Sequence, residues 1–213
     1  MSTIRSLVTL AVLVLLAPAG VSLAQKPSGR PTEPPPDYFP LRVGDWWSYH
    51  STTADGKMSD FTIKVLDLDA PTGVYHVRYE SSWPIDEWYS KPAGWVNWHK
   101  ESYGKTNQSV AFDPVRPYLK NPLAVAGGTW SWKGKVNLGY DADESSTVAG
   151  SELVTVPAGK FTAMKVVTKV VQGGTTVTKT YWYANWIGLV KSMTDTGSVK
   201  STTELVDYSF KKR

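Results

Sequence analysis

The stretch FTAMKVVTKVVQ-GG-TTVTKTYWYA, residues 161–184, decides the fold. Its two arms are rich in valine, threonine, tyrosine and tryptophan, which suit a pleated, half-buried surface. Between them Gly173-Gly174 is the two-residue turn that joins antiparallel strands. The same grammar extends on both sides. Strands are expected over roughly Ser146–Val156, Phe161–Gln172, Thr175–Ala184, Leu189–Thr194 and Val199–Phe210. Pro157-Ala158-Gly159 suits a type I turn and Thr196-Gly197 closes the last hairpin, so this half reads as a five-strand meander.

The preceding half reads as β too. Phe61, Ile63 and Val65 alternate with Thr62, Lys64 and Leu66. Tyr75, Val77 and Tyr79 alternate with His76, Arg78 and Glu80, and Pro71-Thr72-Gly73 turns between the two runs. Glu87 to Glu101 holds another strand pair around Pro92-Ala93-Gly94. Phe112 to Tyr118 carries Pro114 and Pro117 and reads as a non-helical crossing. No window shows a sustained apolar stripe of period about 3.6. The expected fold class is mainly β, with little helix after the leader. It is a single antiparallel curved sheet, a half-barrel or barrel of about ten strands, with a sandwich as the remaining arrangement.

One phrase occurs twice. Pro40-Leu41-Arg42-Val43-Gly44-Asp45-Trp46-Trp47-Ser48-Tyr49 is echoed, with one extra residue before the glycine, by Pro122-Leu123 through Gly127-Gly128-Thr129-Trp130-Ser131-Trp132. In each copy a glycine turn feeds a strand whose aromatics share one face. Trp47, Tyr49, Trp130 and Trp132 are therefore expected as inward anchors. Trp46, in the position of Thr129, is expected on the opposite face with Ser48 and His50.

Residues 1–24 read as a signal peptide. Arg5 precedes the apolar run Leu7 to Leu16, and Ser22-Leu23-Ala24 offers small residues before a cleavage at Gln25. The run is about ten residues, short of the roughly 20 a spanning helix needs. Residues 25–36, with Pro27, Pro31, Pro34, Pro35 and Pro36, read as a proline-rich linker, and 37–213 as a single β domain. The expected location is periplasmic or extracellular, with no lipobox cysteine. The sequence contains no cysteine, so stability falls to the core rather than to disulfides. A net charge of +4, spread along the chain with one short cluster at Lys211-Lys212-Arg213, argues against nucleic acid as a partner. A monomer that does not span the membrane is expected.

Three phrases carry a resemblance. Tyr38-Phe39-Pro40-Leu41 leads to Gly44, Trp47 and Tyr49. Val156-Pro157-Ala158-Gly159 leads to Phe161. Tyr181-Trp182-Tyr183-Ala184 leads to Gly188-Leu189-Val190-Lys191. In this order the set resembles exported, β-rich bacterial proteins of uncharacterised function, loosely related to the lipoprotein-carrier half-barrel of the LolA/LolB type. That resemblance implies a curved antiparallel sheet with a partly apolar concave interior able to hold an acyl chain. It implies no catalytic residues, and no helix here is suited to act as the carriers' lid.

Ten tryptophans are many for 213 residues. Trp83, Trp88, Trp95 and Trp98 crowd together with Tyr89 and Tyr103, either as core or as a binding face. Trp95, Asn97 and His99 share one strand face, and Val96 and Trp98 the other. The candidate ligand-binding set is Trp46, His50, Trp95, Asn97, Trp98 and His99. The three histidines, His50, His76 and His99, fall on polar strand phases and read as solvated; no metal spacing joins them. Asp141, Asp143 and Glu144 read as a solvated hairpin tip rather than a calcium loop. No nucleophile elbow, phosphate loop or His-Glu-x-x-His is present, so no catalytic residue, cofactor or metal is expected. The expectation is a non-enzymatic exported protein that binds a lipid or acyl ligand or serves as an envelope interaction module. A carbohydrate-binding module with tryptophan platforms for an oligosaccharide is the alternative, and a hydrolase of envelope polymers the third.

Overall fold

A computed structural model describes residues 34–123, 126–136 and 140–210; the signal-peptide segment and most of the linker lie outside them. From Pro35 on the described residues belong to one compact unit. It contains strands and turns and, among the described residues, no helix. The strands are β1 (Trp46–Thr53), β2 (Met58–Asp69), β3 (Val74–Glu80), β4 (Ile85–Ser90), β5 (Trp95–Tyr103) and β6 (Gln108–Lys120). They continue as β7 (Thr129–Val136), β8 (Tyr140–Val156), β9 (Gly159–Gln172), β10 (Thr175–Ala184), β11 (Gly188–Asp195) and β12 (Lys200–Tyr208). Each pairs antiparallel with the next, and β1 pairs with β12, so the sheet closes into a barrel. The barrel alternative therefore holds, with twelve strands instead of about ten.

The extra strands come from segments without clean alternation. Phe112 to Tyr118 is not a crossing but the middle of β6, prolines included. Proline lacks the N–H a ladder needs. The β6–β7 pairing is correspondingly reduced to Phe112↔Val136 and Asp113↔Lys135. Side chains bridge the rest of that seam. Trp132 Nε1 donates to Pro114 O at 3.0 Å, and Lys120 Nζ donates to Thr129 O at 3.0 Å. The expected acidic hairpin tip is also strand: Asp141, Asp143 and Glu144 belong to β8. At the Gly173-Gly174 turn both glycines have positive φ (55° and 76°), as a two-residue hairpin turn requires.

Alternation sorts the two faces. Trp47, Tyr49, Trp130 and Trp132 are all buried, as their shared phase required. A barrel widens with strand number, so twelve strands enclose a space that only large side chains fill. Tyrosines and tryptophans supply them. The outside carries ion pairs between neighbouring strands, among them Lys64–Glu80, Arg78–Asp86 and Lys191–Glu204.

One end of the barrel is plugged by the chain ahead of β1. Asp37 N donates to Asn185 Oδ1 (2.9 Å), Tyr38 N to Asn121 Oδ1 (2.9 Å), and Lys91 Nζ to Phe39 O (2.7 Å). These bonds tie the segment to three different turns. They seat Phe39 against Tyr89 and Tyr118, at ring distances of 5.1 and 5.7 Å. Gly188, at φ 92°, passes so close to Pro40 that a Cβ there would sit 3.3 Å from the proline ring. Trp47 Nε1 donates to Ile187 O and Tyr49 Oη to Leu189 O. The first and last phrases of the resemblance are thus two sides of one closure.

Candidate ligand chamber inside the barrel

Among the described residues, two cavities open within the barrel. Beneath the plug, Phe39, Leu41, Tyr49, Tyr79, Tyr118 and Tyr183 surround about 50 Å³. That is room for a few waters, each needing roughly 10–15 Å³ by this measure, and not for an acyl chain. The second cavity is about 290 Å³ and lies where β5, β7 and β9 end, at Tyr103, Val136 and Gln172. Its size is near the lower bound, about 300 Å³, of ordinary small-molecule pockets.

An aromatic column connects the two. From Phe39 it passes through Tyr89, Tyr118, Trp98 and Phe112 to Trp132, with successive ring centroids 5.1, 5.7, 5.5, 4.9 and 5.8 Å apart. Beyond Tyr118 the column borders ionisable groups. Arg116 lies within 4.8 Å of the Trp98 ring centre, 5.5 Å of Phe112 and 5.9 Å of Trp132. Such stacking suits a guanidinium, which is weakly hydrated and planar. It also donates through Nη2 to Glu144, while its buried Nε has no acceptor. Glu101 and Lys179 complete the charged lining.

Burial sets the charge of the carboxylates. Glu87, cross-strand from Glu101, accepts from Tyr89 Oη at 2.6 Å. Burial lifts its pKa from 4.5 to about 7, with the Glu101 charge adding to the rise. Burial also raises Glu144, against the pull of Arg116 and Lys179. A charge out of water costs several kcal/mol unless it is compensated. The lumen answers with a carboxyl that holds its proton up to about neutral pH at Glu87 and with pairing at Glu144.

The residues singled out from sequence fall in several places. Trp46 and His50 lie on β1, His50 with Nδ1 2.6 Å from Asp60 Oδ1. Trp95 is half-buried, its ring 6.4 Å from that of Trp130 in an edge contact. Asn97 and His99 meet at Ser90: Asn97 is its register partner, and His99 Nε2 lies 2.8 Å from Ser90 Oγ. Burial lowers the His99 pKa, favouring neutral imidazole. Trp98 alone of the set lines the chamber. The histidines are half-buried rather than solvated, His76 lying flat on Trp88 at 4.8 Å with Asp86 2.7 Å from its Nε2. No cluster of three metal-ligating side chains occurs among the described residues.

Sequence reading passed over Arg116 and Lys179, placed Glu144 in a solvated hairpin tip, and gave Glu87 and Glu101 no place in the ligand-binding set. The signal was present in the phase. Lys179 shares its phase with Val177, Tyr181 and Tyr183, Glu87 with Ile85 and Tyr89, and Glu144 with Ala142 and Ser146. A charge on the apolar phase of a strand points into the barrel and needs a reason to be there.

No family model matches the chain, and no curated protein matches it. Solved structures do. A Bacteroides fragilis protein with a YmcC-like fold, provisionally named an exported protein, superposes with a TM-score of 0.51 at 19% identity. That match covers 82% of this chain and 99% of the other. A Parabacteroides distasonis protein provisionally named a lipoprotein gives 0.47 at 16% identity, over 83% of this chain and 100% of its own. The hypothetical lipoprotein YmcC of Escherichia coli gives 0.45 at 11%, over 78% and 89%. At these identities the likeness concerns the fold alone, and the Bacteroides fragilis structure carries it.

Proposed function

We propose that this chain is an exported, non-enzymatic β-barrel of the cell envelope that holds a small amphipathic ligand in the chamber beside Trp98 and Trp132. The observation that carries the reading is the make-up of that 290 Å³ space: aromatic walls with a few convergent charged groups. Ligand pockets are mostly apolar with a small number of placed polar side chains. Export is supported by the N-terminal charge and apolar pattern, and the Bacteroides fragilis neighbour is also provisionally named an exported protein. The narrow space under the plug favours a short or compact apolar body over a long acyl chain.

Tryptophan fluorescence tests the reading with two eight-carbon probes, octanoate and 1-octanol. At least one of them is expected to shift the emission saturably, and Trp98→Leu is expected to remove most of the response while the near-ultraviolet circular dichroism of the remaining core persists. Emission that stays unchanged with both probes up to millimolar concentration sinks the proposal.

A further inference from the structure

The chamber's hydrogen bonds do not balance. Each carboxylate within it has a donor. Glu144 receives Arg116, Glu101 receives Tyr103 Oη at 2.6 Å, and neighbouring Glu87 receives Tyr89 Oη at 2.6 Å. The cations are not matched in the same way. Among the described residues Lys179, a half-buried lysine on the inward phase of β10, makes no ion pair within 4.0 Å, although its charge acts on Glu144 and Glu87 from farther away. Its β9 register partner is Thr168, whose hydroxyl is already engaged with Ser146 Oγ at 2.8 Å. Arg116, nine-tenths buried on its aromatic rings, keeps Nε without an acceptor. Donors on cationic groups are thus in surplus.

A buried donor without an acceptor costs about 1–3 kcal/mol, more when charged. That cost falls on Arg116 Nε; half-buried Lys179 keeps water as its partner, and the species that suits it better than water brings acceptor oxygens and negative charge. Resting on the amphipathic-ligand reading above, we infer that the chamber selects anionic amphiphiles. A carboxylate, sulfate or phosphate headgroup meets Lys179 and the Arg116 side of the wall, and the apolar body lies along Trp98, Phe112 and Trp132. Cationic amphiphiles meet carboxylates already satisfied and a lysine that repels them. Neutral ones, such as an alcohol, offer an acceptor oxygen without the negative charge, and so a weaker bond.

Isothermal titration calorimetry of the intact protein at pH 7.5 with octanoate, 1-octanol and octylammonium separates these cases. Octanoate is expected to bind about tenfold or more tightly than either of the others, the size of one charge-assisted hydrogen bond. Lys179→Gln is expected to lower octanoate affinity to the level of octanol and leave octanol unchanged; Lys179→Arg keeps the discrimination. The wild-type ranking decides the matter even where a variant folds poorly. Equal binding of octanoate and octanol overturns the anion inference while the ligand reading stands. Tightest binding of octylammonium overturns it as well, assigning recognition to Glu101. Binding of none of the three overturns both.

Discussion

The two ends of the barrel interior are built from the same aromatic column and do opposite things with it. At the plugged end the rings are closed over by Phe39, Pro40 and Leu41, and almost no space remains. At the other end the rings stack on a guanidinium, and a chamber persists. The difference comes from what fills the inward positions. Apolar side chains can approach until dispersion contacts are complete. Charged ones hold their surroundings at hydrogen-bonding distances and demand partners. The plugged end serves stability, and the charged end leaves room for something else.

Substitutions that treat the two ends differently test this contrast. The largest effect is expected at the plugged end: Tyr183→Ala, which empties one of the most buried side chains, should destabilise by about 4 kcal/mol in urea unfolding. A loss below about 1 kcal/mol would mean that this end is not close-packed.

At the charged end, Glu144→Ala should cost about 3 kcal/mol, because Arg116 is left charged and uncompensated. The double variant Arg116→Met with Glu144→Leu should recover most of that loss, since an apolar pair needs no ionic partner. It should leave octanoate selectivity in place as long as Lys179 remains. A double variant no more stable than the single one would assign the loss to packing.

Glu87 gives the most specific signal. The unfolded chain releases this proton near 4.5 and the folded one near 7, so the folded state binds more protons between those values. Stability is therefore favoured at low pH and falls as pH rises from about 4.5 to 7, by up to about 3 kcal/mol. Glu87→Gln should flatten that slope in unfolding measurements between roughly pH 5 and 8. An unchanged slope would assign the titration to another group.

Much of the strand grammar is legible in the residues alone. The Gly173-Gly174 hairpin, the alternation in β2 and β3, and the inward tryptophans of the repeated phrase all stand where local pattern placed them. Differences arise where a local signal is overridden. Pro114 and Pro117 argue against strand, yet β6 exists because most of its length pairs with β5 on one edge and needs little from β7 on the other. Asp141, Asp143 and Glu144 look like a solvated tip until β7 and β9 flank them. Of the candidate site, Trp98 is visible as an aromatic sharing a strand face with Val96 and Lys179 as a charge on an apolar phase, whereas Arg116, between two prolines, carries no such signal.

By itself, the sequence determined most of the strands, the inward aromatics of the repeated phrase and the tight turns, because these depend on the period of two and on backbone preferences at glycine and proline. Tertiary structure alone decided that the sheet closes at β1 and β12 and that the phrases around Pro40 and Gly188 meet as a plug. It also brought Arg116, Glu144 and Lys179 to one chamber. Closure and stagger are set by the register of all twelve strands together, which no local stretch encodes.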